Sequence, residues 1–181
     1  MRKLTCPASS EVLGVNIIAY LENIQGDETK PIAQKHGVLN PLPDQWYKTL
    51  SVLNALNEIA EQPNVTFNFV AIGMEIGKIC PIPPHLQNPT IEEVLAIWND
   101  LYQGLHRNGD VGQIRVEKVR DNHFKTIHTD VYPDDFSYGV LYGFARRFLP
   151  AGASFKVVYD QEQPPRDYGG NGASILHLTW N

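Results

Sequence analysis

Histidine and cysteine are the residue types here that most readily bind metals or transfer protons, and their spacing argues against a metal site. The six histidines, at positions 36, 85, 106, 123, 128 and 177, form no His-x-x-x-His or His-Glu-x-x-His pair. His123 and His128 are five residues apart on an expected strand, so they should face opposite sides of a sheet. Cys6 and Cys80 form no paired motif. We predict neither a metal site nor a disulfide framework.

Motifs for catalysis are also missing from the sequence. It contains no Gly-x-Ser-x-Gly segment and no dinucleotide-binding fingerprint. The glycine-rich segment 169–172 lacks the lysine and the following helix of a phosphate-binding loop, and it predicts a hairpin connection or a lid. Glu92-Glu93 and Asp134-Asp135 stand at expected helix starts, where capping explains them. We leave enzymatic activity open and favour a protein without it.

Two groups of side chains could contact a ligand. Arg146 and Arg147 could bind a carboxylate or phosphate, pair with Asp134 or Asp135 of a partner, or lie solvated at a helix C-terminus. A set of aromatic side chains could line an apolar pocket with a few polar groups, or form ordinary core. These are Trp46, Tyr47, Trp98, Tyr102, Tyr138 and Tyr142. Together with the two arginines they are the candidate ligand-binding residues.

Composition limits the class of protein. A chain of 181 residues suits one domain, predicted over 1–181, and can bury a core without disulfides or metals. With 43% hydrophobic and 19% charged residues and a net charge of −5, the chain should be folded and lacks the basic surface of nucleic-acid-binding proteins. We see no signal peptide and no apolar stretch of the ~18–20 residues that span a membrane. We therefore expect a cytoplasmic domain.

The first half of the chain predicts helices. Ser10 is a candidate N-cap for a helix that includes Val12 and Leu13 and ends at Gly26-Asp27. A short helix is expected over about 27–35. Asp44 is a candidate cap for the next helix, which would begin with Trp46 and Tyr47 and carry apolar residues at helical spacing.

Two further helices are expected before residue 110. The stretch 65–79 suits a strand or a helix, and we favour a helix because Gly73 and Gly77 are four residues apart and would allow close packing. Thr90-Ile91-Glu92-Glu93 is a capping box that precedes an apolar face at 3.6-residue spacing. This helix is expected to end near His106, with a turn at Asn108-Gly109.

The second half predicts a sheet with one helix inserted. Apolar and charged residues alternate from Ile114 onward around a turn at Asp121-Asn122, which is typical of a hairpin. A helix should follow Pro133, and two more strands should cover 155–159 and 174–180 on either side of a Pro/Gly-rich loop. The predicted class is α+β, with a helical N-terminal half followed by a β-β-α-β-β unit that forms a four-stranded antiparallel sheet.

The closing segments resemble those of a known superfamily. The segment 132–148, with glycines at 139 and 143, is similar to its final helix; the strand 154–159, the loop 165–170 and the last strand to Trp180 continue the similarity. The superfamily includes 4-vinyl-reductase-type hydrocarbon-binding domains, haem-based nitric-oxide sensors and trafficking-complex subunits. The likeness in layout covers about the whole chain, including a Trp46-Tyr47 pair at a helix start, and the likeness in motifs covers the last third.

Departures from the superfamily's motifs bear on the cofactor. Many vinyl-reductase-type domains carry cysteines near the last two strands, and this chain has none there. Haem sensors of the superfamily hold the propionates with Tyr-x-Ser-x-Arg, whereas 130–136 here is Asp-Val-Tyr-Pro-Asp-Asp-Phe, whose carboxylates would repel propionates. His106 lies roughly where such a sensor places its iron ligand. Haem with His106 as ligand is therefore one alternative, and a helix C-terminal histidine favoured by the dipole is the other.

The resemblance implies a small-molecule-binding or sensory domain. An apolar ligand would lie between the helical half and the sheet, and its binding would shift the final helix and so alter a partner or dimer contact. Three alternatives stay open: a homodimeric interaction module without a ligand, a haem-based gas sensor, and an enzyme of vinyl-reductase type. We expect a homodimer both for the ligand-binding domain and for the interaction module, and neither a nucleic-acid partner nor a membrane span.

Overall fold

A computed structural model describes residues 1–23, 29–62 and 69–181. Its helices are α1 Gly14–Asn23, α2 Lys30–Lys35, α3 Thr49–Ala60, α4 Phe69–Ile79, α5 Ile91–Gly104 and α6 Asp134–Phe148, with a short 3-10 helix at Arg166–Tyr168. Its strands are β1 Glu11–Leu13, β2 Trp46–Lys48, β3 His106–Arg107, β4 Ile114–Arg120, β5 His123–His128, β6 Phe155–Tyr159 and β7 Ser174–Trp180. The predicted α+β class, with helices first and a β-β-α-β-β unit last, is confirmed.

The chain divides into two compact units, which are described separately. The helix–sheet unit consists of Met1–Arg2, Phe69–Tyr102 and Gly112–Asn181. The N-terminal unit consists of Lys3–Asn68 and Gln103–Val111. The prediction of one ligand-binding domain over 1–181 stays a prediction. Among the described residues, no helix is long and apolar enough to cross a bilayer.

The sheet of the helix–sheet unit is antiparallel with strand order β4-β5-β7-β6. In β5 the exposure alternates, because Phe124, Thr126 and His128 are buried whereas the residues between them are partly exposed. The hairpin predicted from Ile114, Val116, Phe124 and Ile127 is confirmed, but Ile127 lies on the partly exposed face of β5, opposite Phe124. The alternation places His123 and His128 on opposite faces, as predicted.

Helices α4 and α6 approach each other at backbone distance because glycines face each other across the contact. A Cβ atom on Gly73 would collide with the carbonyl oxygen of Phe136, and one on Gly139 would collide with the carbonyl oxygen of Val70. The contact repeats one turn later, where a Cβ on Gly77 would lie 2.5 Å from the carbonyl oxygen of Val140. The helix favoured over 65–79 is confirmed for Phe69–Ile79, and 65–68 lie outside the described residues.

The predicted capping box at the start of α5 is confirmed. The backbone N–H of Glu93 donates to Thr90 Oγ1 at 3.3 Å, and the backbone N–H of Thr90 donates to Glu93 Oε2 at 2.8 Å. These reciprocal bonds satisfy amide groups that a helix N-terminus otherwise leaves without partners. The hydrogen bond from the Thr90 backbone also lowers the pKa of Glu93.

Two predicted helix starts in the N-terminal unit are wrong, because a short strand precedes each helix. Val12 and Leu13 belong to β1, so Ser10 does not cap a helix; Trp46 and Tyr47 belong to β2, so Asp44 does not either. β1 is the central strand of a sheet with order β2-β1-β3. Hydrogen bonding to two sequence-distant strands outweighs the local helical spacing of the apolar residues. The predicted helix end at 26–27 lies outside the described residues.

The predicted position of His106 at a helix end is also wrong. Helix α5 ends at Gly104, and His106 lies in β3, where it pairs with Val12 of β1. The side chain is buried, at 8% exposure. Pairing with the free edge of β1 draws this backbone into an extended conformation immediately after the helix.

Glu11 connects the three strands of the N-terminal unit. Its carboxylate accepts hydrogen bonds from Arg107 Nε of β3 at 2.7 Å, from Lys48 Nζ of β2 at 3.1 Å and from Asn108 Nδ2 at 2.8 Å. These bonds, the one from Arg107 foremost, lower the pKa of Glu11 to about 2. The ionised carboxylate therefore stabilises the folded state.

We expect Glu11→Gln to destabilise the protein in a pH-dependent way. Because the pKa of Glu11 falls from its ordinary 4.5 to about 2 on folding, its stabilisation is complete above pH 4.5 and disappears as the pH falls towards 2. Urea unfolding at a series of pH values should show a deficit at pH 7 that shrinks over this range. Glu162→Gln, which removes an exposed carboxylate, is the control. A deficit that does not change with pH would contradict the assignment.

Candidate functional site

The predicted aromatic residues belong to both compact units, and their contacts are described unit by unit. In the N-terminal unit, the Arg107 guanidinium lies 4.3 Å from the centre of the Trp46 ring. Tyr47 Oη accepts a hydrogen bond from the Leu42 backbone N–H at 2.8 Å and donates to Gln45 Oε1 at 3.1 Å. Both side chains therefore make local contacts within the N-terminal unit.

Tyr138 and Tyr142 lie on the face of α6 that packs against β6. Tyr138 Oη donates to the carbonyl oxygen of Val157 at 2.9 Å. The rings of Tyr142 and Phe155 pack edge to face with their centres 4.9 Å apart. Partial burial raises the pKa of Tyr138. These contacts join helix and sheet.

Trp98 and Tyr102 lie on α5 and contact a second group of rings. Trp98 packs edge-on against Phe144 with ring centres 5.3 Å apart, and Tyr102 packs edge-on against Tyr132 at 6.2 Å. Tyr132 in turn lies 5.6 Å from Phe136. These five rings, none more than 9% exposed, are called the aromatic cluster. It combines two predicted ligand-binding residues with three that the sequence analysis did not single out.

The two arginines at the end of α6 are exposed. Arg147 Nη1 donates to the carbonyl oxygen of Cys80 at 2.7 Å, and its guanidinium lies 4.6 Å from the Phe148 ring centre. Asp134, predicted to pair with such an arginine of a partner, is only 1% exposed. That pairing is wrong for Asp134, because the carboxylate is buried against an arginine of its own chain.

An ionic cluster, buried except for the partly exposed Arg2, adjoins the aromatic cluster. Its members are Arg2, His128, Asp130, Asp134, Arg166 and Asp167. The Trp98 ring packs edge-on against the His128 imidazole with centres 5.1 Å apart, and the backbone N–H of Tyr132 donates to Asp130 Oδ1 at 3.0 Å. The two clusters therefore share a boundary at the end of β5 and the start of α6.

Arg166 and Asp134 form the centre of the ionic cluster. Arg166 Nε and Nη2 both donate to Asp134 Oδ1, at 2.9 and 2.6 Å, and Nη1 donates to the carbonyl oxygen of Asp130 at 2.7 Å. The arginine side chain is 8% exposed and the aspartate side chain is fully buried. A buried pair of this kind persists only where further hydrogen bonds satisfy both charges.

Asp167 and Arg2 complete the ionic cluster. The backbone N–H groups of Asp134 and Asp167 each donate to the other residue's carboxylate, both at 2.8 Å. Arg2 Nη2 donates to the carbonyl oxygen of Tyr132 at 2.8 Å, and Nη1 lies 3.7 Å from Asp167 Oδ1. Burial, ahead of the opposing hydrogen bond from the Asp134 backbone, raises the pKa of Asp167.

His128 and Asp130 form the innermost part of the cluster. The two ring nitrogens of His128 are bonded to Thr126 Oγ1 at 2.8 Å and to Asp130 Oδ2 at 3.3 Å. Burial by itself would raise the pKa of Asp130, but the hydrogen bond from His128 and the charges of His128 and Arg166 hold it below its usual value. His128 is fully buried, and both its ring nitrogens are already bonded within the chain.

Asp135, the residue after Asp134, binds β6 and the short 3-10 helix that follows it. It accepts hydrogen bonds from Tyr159 Oη and Tyr168 Oη, both at 2.7 Å. The bond to Asp135 raises the pKa of Tyr168 to about 12, and burial together with Asp135 raises the pKa of Tyr159. The interpretation of Asp134-Asp135 as capping residues is therefore incomplete, since their side chains bind β6 and the segment after it.

Sequence reasoning missed the ionic cluster because its members are far apart in the chain. Arg2 and Asp167 are separated by 165 positions, and Arg166 and Asp134 by 32. The one available signal was the charged pair Arg166-Asp167 inside a Pro/Gly-rich loop, where solvation is the ordinary expectation.

The helices, the antiparallel sheet and the insertion of α6 between its two hairpins define the H-NOX fold. An H-NOX protein from S. oneidensis in the Fe(II) ligation state has a TM-score of 0.62 and 13% identity, covering 93% of this chain and 96% of that chain. Cs H-NOX has a TM-score of 0.65 and 12% identity over 93% and 95%. T. Tengcongensis H-NOX has a TM-score of 0.63 and 12% identity over 93% and 94%. The predicted resemblance to haem-based nitric-oxide sensors is confirmed at the level of fold.

The sequence itself gives no further assignment. No protein-family model matches the chain, and no curated protein is similar to it. Identities of 12–14% to the solved H-NOX structures establish the fold alone. The function must therefore be argued from the residues of this chain.

The described residues do not fit a haem held by a helix-borne histidine and a Ser–Arg pair. Some of the similar structures are haem proteins, among them the S. oneidensis protein in its Fe(II)NO state. Among the described helices, α4, α5 and α6 contain no histidine. When Tyr132 is matched to the tyrosine of the Tyr-x-Ser-x-Arg motif, its serine position is Asp134, which is bound to Arg166. Its arginine position is Phe136, an apolar side chain at 8% exposure. We therefore assign no function to this chain through haem.

Proposed function

We propose that this chain is a sensory domain that binds an apolar small molecule at the aromatic cluster. The proposal rests on one observation above all: a group of buried rings borders a fully paired ionic network within a fold used by ligand-binding sensors. Ligand pockets commonly combine apolar and aromatic walls with a few fixed polar groups. Trp98 and Tyr102 would contact the ligand directly.

Helix α6 would carry the signal. Phe136 and Phe144 belong to the aromatic cluster, and the glycines of α6 pack against the backbone of α4. Because this contact has no side chains to absorb a displacement, movement of α6 would displace α4 as well. A ligand that binds one arrangement better would shift the population towards it. We include in the proposal the cytoplasmic location and a second copy of the chain as the partner that reads the change.

Native and denaturing mass spectrometry of the full chain would test the proposal. We expect a mass that is lost on denaturation, either as purified or after incubation with apolar compounds. Trp98→Leu should then weaken binding about tenfold or more, which corresponds to ~1.4 kcal/mol. Tyr142→Leu removes a ring on the sheet side of α6 and should leave affinity nearly unchanged. Absence of bound mass and of any thermal shift across a broad apolar panel would contradict the proposal.

Absorption spectroscopy and light scattering of the same preparation separate the alternatives. A Soret band after addition of haemin, abolished by His106→Ala, would replace the proposal with a haem-based gas sensor. A dimer without ligand, with a melting temperature unaffected by every compound, would favour the interaction module. The absorption spectrum would show the Soret band, and light scattering would show the dimer.

A further inference from the structure

We infer that the ligand of the aromatic cluster is uncharged, such as an alcohol, a ketone or a hydrocarbon, and carries no carboxylate or phosphate. This inference rests on the proposed function and specifies the chemistry of its ligand. It is drawn from the ionic cluster, which borders the aromatic cluster and whose two guanidinium groups are already paired within the chain.

The guanidinium groups of the ionic cluster are committed to partners within the chain. Arg166 uses Nε and Nη2 for Asp134 and Nη1 for the carbonyl oxygen of Asp130. Arg2 uses Nη2 for the carbonyl oxygen of Tyr132 and places Nη1 near Asp167. An anionic ligand would have to displace one of these acceptors. The displaced carboxylate would then be buried without a counterion, which is strongly unfavourable.

The carboxylate of Asp130 also opposes an anion beside Tyr132. The backbone N–H of Tyr132 donates to Asp130 Oδ1 at 3.0 Å, so a further negative charge there would lie close to this carboxylate. The two would repel each other in a region of low dielectric. A neutral ligand meets no such repulsion.

The remaining groups around the aromatic cluster favour a neutral ligand as well. Phe136 presents an apolar ring whose centre lies 5.6 Å from that of Tyr132. Arg146 and Arg147, the arginines predicted as anion ligands, are exposed at the far end of α6.

Matched pairs of ligands test the inference on the wild-type protein. The probes are octanol with octanoate, benzyl alcohol with benzoate, and 1-naphthalenemethanol with 1-naphthoate, compared by thermal shift at pH 7. We expect an alcohol to raise the melting temperature by roughly 5 °C at a hundredfold excess over Kd, and its carboxylate to produce no shift. Equal shifts, or a larger one with the carboxylate, would overturn the inference and leave the proposed function standing. No shift with any compound would overturn both.

Asp134→Asn provides an independent test. The amide keeps the shape of the side chain but removes the charge that occupies Arg166, so the variant should bind the carboxylate of the best pair at least tenfold more tightly than the wild type does. Asp121→Asn, at a carboxylate that is 95% exposed, is the matched control and should bind as the wild type does. Circular dichroism would verify folding. A folded Asp134→Asn that still rejects the carboxylate would contradict the proposed role of Asp134.

Discussion

Gly73→Ala is expected to lower the free energy of unfolding by about 3 kcal/mol, because added volume in a close-packed contact forces the backbone apart. The new methyl group would collide with the carbonyl oxygen of Phe136 and would lie 2.9 Å from the Cα atom of Gly139. Both obstacles belong to the backbone of α6, so no side-chain rotation can relieve them. Thermal unfolding should show a fall in the melting temperature of roughly 6–12 °C for a chain of this size.

Gly104→Ala is the matched control for that measurement. Gly104 ends α5, has no positive φ, and nothing lies within 4 Å of a Cβ atom placed on it. Alanine there should be neutral or should stabilise the protein by about 0.5–1 kcal/mol, because it restricts the unfolded chain. If Gly73→Ala and Gly104→Ala changed stability alike, the close approach of α4 and α6 would be contradicted.

The second large effect is expected for Arg166→Met. This change keeps an apolar stem but leaves Asp134 buried without its counterion, and removal of one partner of a buried pair costs about 3–5 kcal/mol. The loop 161–173 would also lose the bonds from Arg166 to Asp134 at the start of α6, and it would keep only those of Asp167 and Tyr168. Urea unfolding should show a lower midpoint, and hydrogen exchange should show faster exchange of the Asp167 amide, which donates to Asp134.

Arg115→Met is the control for the buried pair. Arg115 Nε lies 3.1 Å from Glu117, and both side chains are well exposed, at 63% and 43%. Exposed pairs contribute about 0–1 kcal/mol, so this variant should be nearly as stable as the wild type. The double variant Arg166→Met with Asp134→Asn should recover part of the loss, because it removes the uncompensated charge. Additive losses in the double variant would contradict a direct interaction between Asp134 and Arg166.

The elements that sequence reasoning placed correctly are those with local signals. The capping box at Thr90 marks the start of α5, and a bonded Thr90–Glu93 pair is present there. Alternating exposure marks β5, and the proline before Asp134 marks the start of α6. Each of these signals depends on neighbours within a few residues, so the sequence alone contains the necessary information.

The strands of the N-terminal unit could not be predicted in this way. β1 and β2 have three residues each and β3 has two, which is too short for a period-2 pattern to be distinguished from a helical one. Their conformation depends on pairing between segments such as 11–13 and 106–107. The same pairing moved His106 from the predicted helix end into a strand.

The candidate site also combines residues that the sequence could name with residues that only the structure brings together. Sequence named Trp98 and Tyr102 as aromatic residues at helical spacing, but it gave equal weight to Tyr138 and Tyr142, whose side chains pack against β6. Only the packing of α5 beside α6 distinguishes the first two from the others. The ionic cluster was beyond the reach of sequence altogether, since a charged residue in a loop is ordinarily solvated.

The sequence by itself determined the α+β class, the position of α4, α5 and α6, the hairpin and the final strands, because periodicity, caps and turns act over short distances. Tertiary structure decided which side chains meet. Arg2, Asp134 and Arg166 come from the N-terminus, the start of α6 and a loop, and they meet only when these segments pack together, which buries the charges of Asp134 and Arg166. Burial changes a solvated charge into one that must be paired, and no local pattern encodes the identity of its partner.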